Sequence, residues 1–337
     1  MLRKNTIPNI KMPNIAIYVS GDKIGDAILK YPAIKALRHA LPKSSKIIWI
    51  TGNEPSAFYD QLTFLSRGLI DHFYINIDSI PSEKKRAIFN KHQIQCFINT
   101  ESRIKTAIKL KKMYRGVYIC PALNYFFSEI KPEFQRKNES IFTKFYHMLS
   151  LAIGKDLNLK FDIDIPKLYQ QYTDEILPED RYIGFSLGAS GFKKAWPLEH
   201  FVKLARLKDE YSFKPVFFLG PNEVHLRQKI KGIFSNCVIV PCDELPANIK
   251  NIPLLTISAA KKLSFSVAND SGGGHLLASG RKPIITLFGK NRAKKFSSPY
   301  CEQKCINTED FGKKNVVDLE FKPVYDEFIK MMISIKK

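Results

Sequence analysis

The chain has 337 residues, 45% of them hydrophobic and 25% charged, with 53 Lys and Arg against 32 Asp and Glu, a formal net charge of +21. This balance excludes an intrinsically disordered chain, and the length suffices for two domains, each burying its own core. The positive excess favours a polyanionic partner, whether nucleic acid, an acidic membrane face or a phosphorylated glycolipid, without choosing among them.

The first predicted element is a strand over Asn14 to Val19, a short, nearly continuous apolar run of the kind covered on both faces of a sheet. It feeds the loop Ser20-Gly21-Asp22-Lys23-Ile24-Gly25-Asp26, and Ile28, Leu29, Ile34 and Leu37 then set a helical period. Pro32 belongs in the first turn of a helix or outside one, so the loop is expected to extend almost to Tyr31. With a second strand at Lys46 to Thr51 this makes a β-loop-α-β unit. Ligands bind beyond the carboxyl ends of strands in such sheets, which is where Asp22 and Asp26 fall.

Strands follow around Phe73 to Ile75 and at Gln95 to Asn99. The next helix is expected to turn Ile104, Ala107, Ile108 and Leu110 inward and to carry Lys105, Lys109 and Lys112 on another side. With Arg103 and Arg115 this is the densest basic surface of the first half, readable as a solvated face or as an anion-binding one. A long amphipathic helix runs from Asn138 to Ile153 and stops at Gly154. From Lys155 to Arg181 the periodicity fades and prolines appear at 166 and 178, as in a linker. The domains are therefore expected at 1–165 and 178–337, with the last helix packing back on the first domain.

The second half repeats the pattern: a strand at Tyr182 to Leu187, a small, basic loop from Gly188 to Lys194, and a helix entered through Ala195-Trp196-Pro197. Glycines for close approach followed by a lysine charge suit phosphate oxygens, although the spacing is not that of a Walker loop. The strand Val216 to Leu219 delivers Gly220-Pro221-Asn222-Glu223, whose carboxylate either accepts from sugar hydroxyls or simply opens a helix. After the apolar run Leu263 to Val267 come Ala268-Asn269-Asp270-Ser271-Gly272-Gly273-Gly274-His275 and a helical segment from Leu276. Such a turn ends a strand with a carboxylate, a hydroxyl and a helix N-terminus that favours an anion. A further strand spans Pro283 to Leu287, ahead of Phe288-Gly289.

Six scattered cysteines, at 96, 120, 237, 242, 301 and 305, and no secretory apolar segment after Met1-Leu2-Arg3-Lys4 point to a reducing cytoplasm. Cys301 and Cys305 lack a second pair to complete a metal site. No apolar run approaches bilayer-spanning length, so any membrane contact is expected to be peripheral.

Ile24-Gly25-Asp26 with Pro32, Gly188 through Lys194-Ala195-Trp196-Pro197, Gly220 to Glu223, and Asn269-Asp270-Ser271-Gly272 with His275 and Pro283 to Gly289 together resemble glycosyltransferase family nine, the ADP-heptose:lipopolysaccharide heptosyltransferase family. The resemblance implies α/β, GT-B architecture, in which two Rossmann-like domains with parallel sheets face each other across a cleft. It implies inverting, metal-independent transfer with no cofactor, from a nucleotide sugar such as ADP-heptose to an anionic lipopolysaccharide precursor at the cytoplasmic face of the inner membrane. In similar enzymes the aspartate matching Asp26 is the catalytic base. Donor contacts are implied at Ser190, Lys194, Glu223, Asp270, Ser271, Gly272, Gly273, Gly274 and His275, while Arg103, Lys105 and Lys109 are expected to meet the acceptor. Ser271 keeps the hydroxyl of the more common threonine, and Gly273-Gly274, in place of bulkier residues, is expected to loosen the sugar pocket. Two other readings stay open. One is a nucleic-acid-binding protein, against which stands the lack of zinc-finger spacing, RNP-type aromatics or a clear helix-turn-helix. The other is a nucleotide-sugar binder or epimerase of the same architecture without transfer.

Overall fold

The computed structural model describes residues 14–133, 139–178 and 181–335, and the chain forms two compact units, Met1–Lys160 and Phe161–Lys337. In the first, the strands β1 (Ile15–Val19), β2 (Ile47–Thr51), β3 (His72–Tyr74), β4 (Cys96–Asn99) and β5 (Val117–Ile119) alternate with helices α1 (Ile24–Ala40), α2 (Thr63–Ser66), α3 (Ser82–Lys91) and α4 (Ile104–Met113), before α5 (Ile141–Ile153). All pairings are parallel, in the order β3-β2-β1-β4-β5. Every residue of β1, β2 and β4 is buried, as a sheet covered by helices on both faces requires. Trp49 and Phe145 meet edge to face on the side of α1 and α5, while Tyr18, Phe97 and Tyr118 fill the core on the other.

Two expectations are corrected here. Helix α1 begins at Ile24 and continues through Pro32, so the preceding loop is only a few residues long. A proline in a helix interior forfeits one backbone bond, but ten buried side chains from Ala27 to Leu37 hold α1 against the sheet and outweigh that loss. On α4 the buried residues are Ala107, Leu110 and Met113; Ile104 and Ile108 point to solvent. Helix α5 starts one residue after its cap Ser140, whose hydroxyl accepts from the Thr143 N–H, and ends at Gly154 in the left-handed conformation (φ 69°). The expected start at Asn138 lies outside the described residues.

The second unit opens with α6 (Lys167–Ile176), then runs β6 (Tyr182–Ser186), α7 (Leu198–Ala205), α8 (Lys208–Tyr211), β7 (Lys214–Phe218), α9 (Arg227–Ile233), β8 (Val238–Val240), α10 (Ile252–Ala260), β9 (Leu263–Asn269), α11 (Gly272–Ser279), β10 (Ile284–Phe288), α12 (Ala293–Phe296), β11 (Gln303–Asn307) and α13 (Phe321–Ser334). Its parallel sheet has the order β11-β10-β9-β6-β7-β8. The stretch expected as a linker contains α6, which docks on α10 through polar contacts: Thr173 donates to Ser258 (2.8 Å), and the Tyr169 hydroxyl accepts from the Asn251 N–H (3.0 Å). The last helix packs within the second unit. Its Phe328 stacks on Phe185 and meets Phe265 edge to face, and Val324, Met331 and Met332 join the same core. No helix among the described residues is long and apolar enough to cross a membrane.

Both sheets reverse their strand order once, between β1 and β4 in the first unit and between β6 and β9 in the second. In open parallel sheets the crevice beyond the strand ends at such a reversal is where ligands bind. The loops that border these crevices are those after β1 and β4, and those after β6 and β9.

Candidate functional site

In the second unit, Asn269 at the end of β9 ties the two loops of the reversal together. Its fully buried side chain accepts from the Trp196 backbone N–H (3.1 Å) and donates to the Leu187 carbonyl (2.9 Å). Trp196 is fixed from its other end by a bond from Nε1 to the Leu319 carbonyl (2.9 Å) and by packing on Phe201 and Phe321. The loop between these anchors carries Lys194 at the end of a short 3-10 turn, half-buried, with Nζ donating to Ser190 Oγ (3.0 Å). Lys193 beside it is exposed. Glu223, in the turn after β7, reaches back toward the same loop: a side chain at Gly188 or Gly220 would start 3.2 or 2.7 Å from its Oε2. Those two glycines leave the room the carboxylate occupies. Leu187, Trp196, Asn222, Glu223 and Leu226 help line a pocket of about 640 Å³ between these turns.

The turn after β9 is built more tightly than its sequence suggests. Asp270 is 5% exposed, and its carboxylate is ion-paired with Nε of Arg292, whose guanidinium lies over the Phe296 ring (4.2 Å). Ser271 caps α11, its hydroxyl accepting from the Gly274 N–H (3.3 Å). The expectation that Gly273-Gly274 opens a looser sugar pocket is overturned. A Cβ on Gly273 would lie 2.7 Å from Ser186 Oγ, and one on Gly274 would lie 2.7 Å from the Asn269 carbonyl oxygen. These glycines bring α11 down onto β6 and β9 and leave no extra volume. His275 is buried in the first turn, its backbone N–H donating to the Ser271 carbonyl. What remains open above the strand ends is the α11 N-terminus at Ser271, Gly272 and Gly273, all partly exposed, with Lys194 on the β6 loop. Free N–H groups and a lysine on adjoining loops favour an anion.

The corresponding loops of the first unit separate two aspartates. Asp22 is 3% exposed, ion-paired with the buried Lys30 and accepting from Ser56 Oγ (3.2 Å), while its backbone bridges to Ser56. Burial opposes the Lys30 charge, but the Asp22 and Asp26 carboxylates outweigh it and raise the Lys30 pKa, so the ammonium is kept. Asp26, in the first turn of α1, is partly exposed and makes no hydrogen bond or ion pair among the described residues. It does not cap α1, whose cap position is Lys23. The β4 loop contributes Glu101, which accepts from Ser20 Oγ (2.7 Å) and pairs with Arg103 (3.1 Å). Through Glu101 the Arg103 guanidinium is tied to the loop that leads to Asp26. Of the other expected acceptor cations, Lys109 lies 3.6 Å from Asp78, and Lys105 has no acidic partner among the described residues.

Sequence reading did not single out Glu101, Arg292 or the clamping role of Asn269. Glu101 lies in the loop that follows β4 (Cys96–Asn99) and Arg292 in the one that follows β10 (Ile284–Phe288), and that position was the available signal. No cluster of three or more His, Cys, Asp or Glu able to hold a metal occurs among the described residues. Burial pushes the Cys301 thiol up to about 12.

The sequence profile of glycosyltransferase family 9 (heptosyltransferase) matches residues 122–322, more than half of the chain. Among solved structures, a glycosyl transferase family 9 protein from Veillonella parvula is similar over 96% of this chain and 97% of its own, at 18% identity and a TM-score of 0.67. The E. coli ADP-heptose lps heptosyltransferase II is similar over 96% of this chain and 100% of its own, at 13% identity and a TM-score of 0.63. An E. coli heptosyltransferase solved with ADP-2-deoxy-2-fluoro heptose is similar over 94% and 99%, at 17% identity and a TM-score of 0.60. Among curated proteins, no sequence match is significant.

Proposed function

We propose, since the chain belongs to glycosyltransferase family 9 and is a glycosyltransferase, that it moves heptose from ADP-heptose, with inversion and without a metal ion, onto an anionic lipopolysaccharide precursor at the cytoplasmic face of the inner membrane. One observation carries the reading: Lys194, Glu223 and the α11 N-terminus converge on the carboxyl edge of one parallel sheet at its strand-order reversal. A nucleoside diphosphate has complementary chemistry, since its phosphates suit the lysine and the N–H groups and its ribose hydroxyls suit the carboxylate. As the sugar–phosphate bond breaks, the diphosphate gains charge, and donors already aimed at it stabilise the transition state more than the ground state.

Asp26 is the proposed base. Inversion needs a carboxylate that takes the proton of the attacking acceptor hydroxyl, and Asp26 is accessible and unpaired where Asp22 is buried and paired. Arg103, Lys105 and Lys109 are the proposed acceptor cations. The exposed pairs of Arg103 with Glu101 and of Lys109 with Asp78 are worth only about 0 to 1 kcal/mol each, so an acceptor phosphate can displace them.

The test is transfer of radiolabelled heptose from ADP-heptose to a heptose-deficient lipopolysaccharide, with other nucleotide sugars run in parallel. Asp26→Asn is expected to abolish transfer and to leave ADP-heptose affinity within about threefold, because the amide fills the same volume but takes no proton. Transfer from a different nucleotide sugar alone would refute the donor, and near-native turnover of the variant would remove Asp26 from the mechanism.

A further inference from the structure

Helix α4 and the loop after β5 carry exposed apolar side chains to which the transfer reading gives no role. On the 100°-per-residue wheel of a helix, Ile104, Ile108 and Lys111 fall within about 60° of one another. Lys111 Nζ donates to the Phe127 carbonyl (2.6 Å), so the loop lies alongside the side of α4 that bears Ile104 and Ile108. That loop presents Leu123, 57% exposed, and Phe126, 66% exposed, next to Ile104 at 44% and Ile108 at 38%. It is a firmly held loop. Ala122 and Tyr125 are buried beneath it, Ser128 bonds twice to the Cys120 backbone, and Glu129 accepts from the Tyr118 N–H (2.8 Å).

The loop also stores backbone strain. Leu123, Asn124 and Tyr125 have φ of 48°, 52° and 63°, three successive non-glycine residues in the left-handed region. Such strain persists only where the surroundings over-determine it, and it collects at functional segments. Here it holds an apolar pair outward in water, a placement with no folding benefit.

Cations border the apolar residues. Lys105 and Lys112 are exposed on the outer side of α4 beside Ile108, Lys109 and Arg103 extend the basic border, and Lys131 lies over the Phe126 ring (5.7 Å). Apolar tips ringed by lysines on a chain of net charge +21 complement a bilayer surface that carries anionic headgroups over an acyl layer. We infer that Leu123 and Phe126, with Ile104 and Ile108, insert shallowly into an anionic lipid bilayer while Lys105, Lys112 and Lys131 meet its headgroups. Of the patch, Ile104 opens α4 after the β4 loop, and Leu123 and Phe126 lie on the loop after β5, all in the unit that carries Asp26. The inference rests on the proposed action at a membrane face and names the surface that meets it, while flotation, which needs no donor sugar, succeeds or fails independently of transfer.

The experiment is flotation of the full chain with vesicles of about one part phosphatidylglycerol to two parts phosphatidylcholine, against pure phosphatidylcholine, across a salt series. The wild type is expected to float with the anionic vesicles and to be released as salt rises. Leu123→Ser with Phe126→Ser should weaken binding at least tenfold, by loss of apolar insertion. Lys105→Gln with Lys112→Gln should weaken it about 25-fold, at about fivefold for each lysine near the surface. Both pairs lie at exposed positions, and unchanged thermal unfolding will confirm that the variants are folded. Equal flotation of the wild type and the serine variant overturns the inference, as does equal affinity for the two vesicle types. A concentration-dependent dimer that the serine variant abolishes, with no flotation of the wild type, also overturns it and identifies a second copy of the chain as the occupant.

Discussion

Replacing Asn269 by alanine should destabilise the second unit strongly and perturb donor binding only through the loop it holds. The side chain is fully buried and makes two hydrogen bonds, one from the Trp196 N–H and one to the Leu187 carbonyl. Truncation strands both backbone partners in a dry environment. An unsatisfied buried polar group costs about 1 to 3 kcal/mol, so the pair sums to roughly 2 to 6 kcal/mol, less whatever a water entering the vacated space restores. Urea unfolding of Asn269→Ala, followed by Trp196 fluorescence, measures this directly. Asn269→Asp is the informative companion: it keeps the acceptor for Trp196 but turns a carboxylate toward the Leu187 carbonyl, so it should be at least as harmful as alanine. A loss below about 1 kcal/mol in the alanine variant would refute the clamp, and so would an aspartate variant of wild-type stability.

Three other outcomes follow from the geometry. Lys194→Ala should weaken ADP-heptose binding by about 1 to 3 kcal/mol, the range for a charge-assisted bond, and Lys193→Ala should do much less; titration calorimetry that finds equal losses would indicate diffuse attraction. Gly274→Ala should destabilise by about 1 to 2 kcal/mol in urea, because the contact at 2.7 Å with the Asn269 carbonyl outweighs the gain in helix propensity. Gly232→Ala in α9, where an added Cβ meets nothing within 4 Å, should stabilise by about 0.5 to 1 kcal/mol, so two substitutions of equal sign would contradict the packing. Burial pushes the Cys96 and Cys301 thiols up to about 12, so alkylation near pH 8 should be about a thousandfold slower than for an ordinary thiol; mass spectrometry that finds rapid labelling at either would show those environments to be more open.

The inner strands of both sheets were legible because parallel strands buried on two faces are written as short apolar runs, as in Ile15–Val19 and Ile284–Phe288, whereas the edge strands β5, β8 and β11, short or only partly buried, were not. Helix α10 was missed because it is buried from Leu254 to Ala260 and so has no polar face to give it a period. Helix α6 was read as linker because its docking rests on Thr173 and Tyr169 hydroxyls, which leave little apolar signal. At the site, sequence spacing located the turns but not their packing. Nothing in Gly272-Gly273-Gly274 tells a turn opened for a ligand from one closed onto Ser186 and Asn269, since the decisive atoms come from residues far apart in the chain. For the same reason the partner of Asp270 was out of reach, because Arg292 arrives from a different strand.

Asp22 and Asp26 show most sharply how environment sorts residues of one type. Both lie within one turn of the start of α1, and either carboxylate could abstract a proton on spacing alone. The isolated bridge to Ser56 draws the Asp22 backbone under the segment that follows β2, and its carboxylate is buried there against Lys30. Burial raises the Asp22 pKa despite the Lys30 ammonium and the Ser56 hydroxyl, but its carboxylate is enclosed and already engaged by both partners, so it is not free to meet a substrate hydroxyl. Asp26, one turn further on, is partly exposed and without a bonded partner, so no hydrogen bond or ion pair is broken when it accepts a proton. The buried pair therefore acts as scaffold, with Lys30 neutralising Asp22 and keeping its charge from opposing a second anion at Asp26. It follows that Lys30→Met should leave Asp22 buried without its ammonium partner: urea unfolding should show a loss of about 3 to 5 kcal/mol, the cost of breaking a buried pair, and transfer should fall as the loop leading to Asp26 loses its anchor. Unchanged transfer in Lys30→Met, with stability alone reduced, would confine the pair to folding, and unchanged stability would refute it.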